Sequence, residues 1–246
     1  SELSSFRMKA YEQYQKKSLP STREEAWRRT DLRALHPERY SNRLTNNWKS
    51  AKIPKSLLDE KKVSTSGELI LTPSGVENWL SEDLSLKGVI FCDLRTAVLQ
   101  YPDLVQRVLG QVVPSDEDIF SAIAGAFAKD GVFLYVPTGI VVEKPFHSIF
   151  FDLQAGSVQV TNIIGIIEEG ASVSYIHETN SSKGYEPDAL NIGTTEFIVK
   201  NNANFAFYEL QNWAESIWNF THERICAEND SNVEWVIGAL GSRLTK

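Results

Sequence analysis

The sequence predicts a mainly β protein whose second half is a β-solenoid. Three observations carry this. After Asp130-Gly131 the helix signals stop, and short runs rich in Val, Ile, Phe, Tyr and Thr follow one another. Within that half a pattern recurs three times. The copies are Ile166 to Tyr175, Ile198 to Phe207 and Ile225 to Trp235, each an apolar pair, a polar turn and an alternating strand. Gly170, Asn202 and Asp230 align at the turns, at intervals of 32 and 28 residues, and all three residue types tolerate left-handed backbone. Near-constant spacing suits stacked coils, each burying its face on the next. A Greek-key sandwich also shows regular turns and is the alternative.

The segment before it divides in two. Residues 1–62 carry 15 Lys and Arg against 8 Asp and Glu, whereas 63–246 carry 10 against 24. Opposite signs suggest separate units. The basic part reads as helical: Leu3, Phe6, Ala10 and Tyr14 fall at helical spacing until Leu19-Pro20 breaks it. Ser21-Thr22 with Glu24 and Glu25 is a doubled capping-box pattern, opening a short helix through Trp27. Asn46 to Glu60 reads as a polar linker. In residues 63–130, a small mixed α/β unit, Leu69 to Leu71 and Val89 to Phe91 read as strands. Val76 to Leu80 reads as a helical turn between them. Tyr101 to Leu109 and Asp116 to Phe127 read as helices, the second capped by Ser115 or Asp116. Residues 131–246 hold the strands, among them Val132 to Val136, Ile140 to Val142, Ser148 to Leu153, Val158 to Ile167 and Thr195 to Val199.

Composition excludes several functions. Apolar residues at 42% and charged residues at 23% are the balance of a folded globular chain. Two cysteines, Cys92 and Cys226, cannot staple a disulfide scaffold. No apolar run approaches the ~20 residues of a membrane span, and the first residues lack an apolar signal core, so the expected location is cytoplasmic. Nucleic acid is not expected as a partner, because the acidic body repels a polyanion. No phosphate loop and no G-x-G-x-x-G is present, so ATP hydrolysis by this chain is not expected.

Two constellations are candidates for chemistry. His222, Arg224 and Cys226 share one face of a strand, where an imidazole and a thiol can hold a soft metal and a guanidinium can lower the thiol pKa. The rival reading of Cys226 is inert packing. Gln211-Asn212-Trp213, followed by Trp218 and Asn219-Phe220, suits either a lined channel or aromatic stacking at a solenoid turn. The acids Asp152, Glu168, Glu169, Glu178, Asp188, Glu196 and Glu209 leave open a carbohydrate-active solenoid enzyme, although most are expected at turns. A structural interaction module is the third possibility.

Several segments together resemble the SufB/SufD family of the SUF iron–sulfur cluster assembly system. They are Thr22-Arg23-Glu24-Glu25-Ala26-Trp27-Arg28-Arg29-Thr30-Asp31-Leu32, Phe120 to Pro137, Glu169-Gly170-Ala171-Ser172-Val173, Gln211-Asn212-Trp213 and Leu240-Gly241-Ser242-Arg243-Leu244-Thr245. The resemblance implies a right-handed parallel β-helix after an N-terminal helical unit. It implies a non-catalytic scaffold working with SufB-like and SufC-like proteins, the latter an ATPase, and carrying an iron–sulfur cluster only transiently, in the complex. Gln211 and Trp213 match two positions of a sulfur-transfer path in the SufB branch. That branch expects Lys where Glu223 stands and Cys near Thr179, and the departures favour the SufD branch. The resemblance also implies that the cluster-forming residues lie beyond Lys246. The β-helix is therefore expected to be truncated, to hold no stable cluster alone, and to pair as a homo- or heterodimer through an open edge at Val233 to Ile237.

Overall fold

The computed structural model describes residues 2–41, 64–73, 75–151, 153, 155–181 and 188–246. The linker expected at Asn46 to Glu60 and the acid Asp152 lie outside them.

An amphipathic helix opens the chain, α1 (Glu2–Lys16). A 3₁₀ turn at Glu25–Trp27 follows, where Glu24 Oε1 accepts the Ser21 N–H at 2.8 Å, half of the expected capping box. Strands β1 (Gly67–Thr72) and β2 (Gly75–Leu80) form an antiparallel hairpin. The helical turn expected at Val76 to Leu80 is thus a strand, because Leu69 to Leu71 offer it a paired edge. Then come α2 (Glu82–Leu86), β3 (Ile90–Asp93), α3 (Leu94–Gln100) and α4 (Pro102–Gln106). Helix α5 (Ile119–Phe127) is capped by Asp118 rather than by Ser115 or Asp116. Asp118 and Ser121 close a reciprocal capping box there, and the chain before it is held in turns.

The strands then alternate between two sheets. β4 (Asp130–Val136), β6 (Val158–Ile167), β8 (Leu190–Val199), β10 (Trp218–Ala227) and the short β12 (Leu244–Thr245) stack in parallel in one sheet. β5 (Phe146–Phe151), β7 (Ser172–Asn180), β9 (Asn204–Asn212) and β11 (Asn232–Gly241) stack in the other. This is a parallel β-helix. Ile140 to Val142, expected as a strand, makes only an isolated bridge, Val141 to Ser172.

The turns explain the repeat. Gly170, Asn202 and Asp230 all have left-handed φ, at 67°, 58° and 54°. Successive turns are bonded: Gly170 N–H donates to Asn201 O at 3.0 Å and Asn202 N–H to Asn229 O at 3.1 Å. The first rung is closed at one end by antiparallel strands, β2 beyond β1 and β3 against β4. Reversing strand direction there blocks further parallel stacking.

Side chains sort by strand parity. One end of the lumen between the sheets is apolar, where Phe146, Tyr175, Phe207 and Trp235 stand in register. Tyr175 and Phe207 stack at 5.3 Å, and Phe91 closes the column on Phe146 at 4.7 Å. The outer face of the β4–β12 sheet is covered by the N-terminal elements. Trp27 and Phe120 pack on Val160, Ile192 and Phe220, with the Phe120 and Phe220 rings 4.0 Å apart. Farther along, Leu94, Ala97, Val105 and Val108 pack on Phe133, Ile164 and Ile166. No helix among the described residues is long and apolar enough to cross a membrane.

Candidate functional site in the solenoid lumen

The other end of the lumen is polar. Alternation along β7 turns Tyr175, His177 and Thr179 inward, and along β9 it turns Phe207, Glu209 and Gln211 inward. From the facing sheet come Asn191, Asn219, Thr221 and Glu223. Together they line a cavity of about 20 Å³, room for roughly one water.

Hydrogen bonds tie its walls. Ser148 Oγ lies 2.6 Å from the Tyr175 hydroxyl and 2.7 Å from His177 Nδ1. Asn191 Nδ2 donates to Asn219 Oδ1 at 2.7 Å, and Asn219 Nδ2 donates to Gln211 Oε1 at 3.1 Å, so an amide chain bridges the two sheets. Gln211 Nε2 continues to Thr245 Oγ1 and Gly241 O. Burial, then the neighbouring His147, drives His177 down to about 3, so its imidazole is neutral. Burial also raises Tyr175, so its phenol stays protonated. Across the cavity from Glu209 stands Glu223. Burial, reinforced by the Glu223 charge, lifts Glu209 well above the usual carboxyl range.

The raised Glu209 has a measurable consequence. Its ordinary value is about 4.3, and the folded state holds the proton more tightly. The stability this proton confers is complete at low pH and is lost as pH rises from about 4.3 through the folded value. Glu209→Gln removes that titration. Its melting temperature is expected to stay level between pH 6 and 9 while the parent falls, a gap of about 1–2 kcal/mol at the alkaline end. Parallel melting curves for the two proteins would contradict the assignment.

The residues singled out from sequence divide. Gln211 and Trp213 are both buried and line the same cavity, with Trp213 packed against Leu153, Ala189 and Ile217. His222, Arg224 and Cys226 do share the outer face of β10, but their functional groups go elsewhere. His222 Nε2 lies 3.0 Å from Asp118 Oδ1, and Arg224 holds Glu117 in a two-pronged pair at 2.6 Å. Burial works against ionised Asp118, yet the bonds from His222 and Ser121 hold it below its ordinary value, and Arg224 does the same for Glu117. These contacts fasten α5 to the solenoid. Cys226 is exposed at the strand's end, and Cys92 is buried, its thiol pushed up to about 12. Among the described residues no three His, Cys, Asp or Glu converge in metal-binding geometry.

Three of the acids named from sequence are not on turns. Glu178, Glu196 and Glu209 lie within strands. Glu178 is outside, 3.0 Å from His147, and Glu196 is outside under residues 110–113, which leaves Glu209 alone of the three in the lumen. The partner it does meet, Glu223, was visible in sequence only as a departure from a family position. Ser148, Tyr175 and His177 were not singled out at all, although strand parity with Thr179 would have found them.

The chain matches two family models that together span nearly all of it. The SufBD protein N-terminal region covers residues 1–147, and the SufBD core domain of SUF system FeS cluster assembly covers 150–246. It is 31% identical over 166 residues to the iron–sulfur cluster assembly protein SufB of Bacillus subtilis, covering 68% of this chain and 36% of that protein. It is 32% identical over 166 residues to a SufBD family protein of Staphylococcus saprophyticus, with the same coverage. With a SufBD family protein of Synechocystis it shares 30% over 198 residues, 77% of this chain and 41% of that one. The chain therefore spans well under half the length of these relatives. The two matched regions span nearly the whole chain, and the chain belongs to the SufBD family of iron–sulfur cluster assembly proteins.

Proposed function

We propose that this protein is a SufD-like scaffold component of the SUF system, acting with a SufB-like protein and a SufC-like ATPase and turning over nothing by itself. One observation carries the branch assignment. Gln211 and Trp213 stand in the lumen beside Glu223 and Thr179, where the SufB branch expects Lys and Cys. A lumen holding two carboxyl groups and no thiol disfavours an anionic sulfur species, so the role is structural support of assembly rather than sulfur transfer. The cluster is cargo, held transiently in the complex. Pairing through the β-helix with a second solenoid, as a homo- or heterodimer, goes with this role. A cytoplasmic location goes with this role.

Co-purification tests it. The native-length protein, tagged and expressed from its own locus, is expected to bring down a SufB-like and a SufC-like chain. ATP hydrolysis is expected only in fractions holding the SufC-like chain. Elution without either partner at physiological salt would overturn the proposal, as would hydrolysis by this protein alone.

A further inference from the structure

We infer that the polar end of the lumen binds one hard divalent cation between Glu209 and Glu223. The two residues reach from opposite sheets, one on β9 and one on β10, and line the same cavity. Two carboxylates lining one small buried cavity repel unless a proton or a cation sits between them.

A second, independent feature points to a ligand there. Thr179 Oγ1, Asn191 Oδ1 and Glu209 Oε2 are buried without a hydrogen-bond partner, and all three residues line the same cavity. Thr179 and Asn191 are only 6% and 5% exposed, so their lone pairs cannot turn to solvent. Buried acceptors normally find a donor or an ion, and leaving several unmade at one spot is costly.

The chemistry selects the class of ion. The available atoms are oxygens: two carboxylates, one hydroxyl and one amide carbonyl. That is the set preferred by Mg²⁺, Ca²⁺ and Mn²⁺ over soft metals. His177 lines the same space, but its Nδ1 is engaged by Ser148. The volume admits one ion, and the Trp213 indole N–H, on a residue that lines the same cavity, is also buried without a partner. With only two charged ligands the site is weak, selective by size and charge, and independent of the SUF assignment.

Manganese is the probe. Free Mn²⁺ gives a sharp six-line electron paramagnetic resonance signal that collapses on binding. The 246-residue chain, stripped with chelator, is expected to take up one Mn²⁺ at millimolar or lower concentration, displaced by Mg²⁺ or Ca²⁺ but not by K⁺. Glu209→Gln and Glu223→Gln should each weaken uptake at least tenfold, Thr179→Val several-fold, and Glu169→Gln on an exposed turn not at all. Paramagnetic broadening in the parent chain locates the ion without any variant. The His177 imidazole and Trp213 indole resonances should broaden before those of surface residues. Absence of uptake would overturn the inference, and so would uptake that leaves those two resonances sharp or survives the Glu209→Gln/Glu223→Gln double variant.

Discussion

Gly131→Ala is expected to cost at least about 4 kcal/mol and to leave the solenoid unfolded or aggregated at 37 °C. Gly131 is the second residue of β4 and pairs with Asn162 of β6. Its φ of 145° lies where L side chains rarely go. A Cβ built there would stand 1.9 Å from Asn162 O and 2.9 Å from Asn162 N. Those are backbone atoms of a central strand, not the end of a flexible side chain. Asn162 cannot retreat, since it is buried and its Oδ1 accepts from Thr194 at 3.0 Å. Relief requires separating the first two rungs, which parts Val132 from Ile163 in the lumen and Phe133 from Ile164 on the outer face. Gly139→Ala is the matched control. Gly139 also has positive φ, 70°, but a Cβ there meets nothing within 4 Å, so only backbone strain of about 1 kcal/mol applies. Urea titrations of the two variants give the comparison. Equal midpoints would show that φ, and not the contact with Asn162, sets the requirement for glycine.

Glu196→Ala is expected to cost about 3–5 kcal/mol, the second largest effect. Glu196 is buried on the outer face of β8. Its Oε1 accepts the Gly110 N–H and its Oε2 accepts the Val112 and Val113 N–H groups, each at 3.0 Å. Burial pushes its pKa up and the three backbone bonds pull it down, with burial prevailing. The carboxylate thus serves as the missing acceptor for a turn that cannot bond itself while it packs on the sheet. Alanine leaves three donors stranded over a buried surface. Glu196→Gln is expected to lose about half as much, because its NH₂ group can only oppose a backbone donor. Hydrogen exchange gives the local signature: amides of residues 110–113 should lose protection first, ahead of β8 itself. Uniform loss across the chain would assign Glu196 a general packing role.

What the sequence made legible follows strand physics. Left-handed Asn202 and Asp230 behind Gly170 declared the turns, because few other residues accept that backbone. The alternation in Val173 to Tyr175 and Phe205 to Phe207 declared the apolar lumen. The helices were less visible. Asp118 caps α5 two residues after Asp116 because Ser121 answers it from within the helix. Val76 to Leu80 carries no alternation, and it is a strand only because β1 lies beside it. Within the lumen, Gln211 and Trp213 stand out as part of a dense polar-aromatic run, and the resemblance marks the same two. Glu209 and Glu223 are 14 positions apart on separate sheets, and only the stacking of rungs makes them neighbours. The outer-face roles of His222 and Arg224 depended on Glu117 and Asp118, about a hundred residues earlier, and no local spacing announces such a contact.

Complementation tests whether this protein serves iron–sulfur cluster assembly in cells. In cells whose SUF operon is the sole source of iron–sulfur clusters, the resident SufD-like gene is depleted and the native-length gene of this protein is expressed. Activity of a [4Fe–4S] dehydratase is expected to return, and Glu196→Ala expressed at the same level is expected to restore less. Dehydratase activity that stays at the depleted level, with the protein folded and abundant, would contradict it.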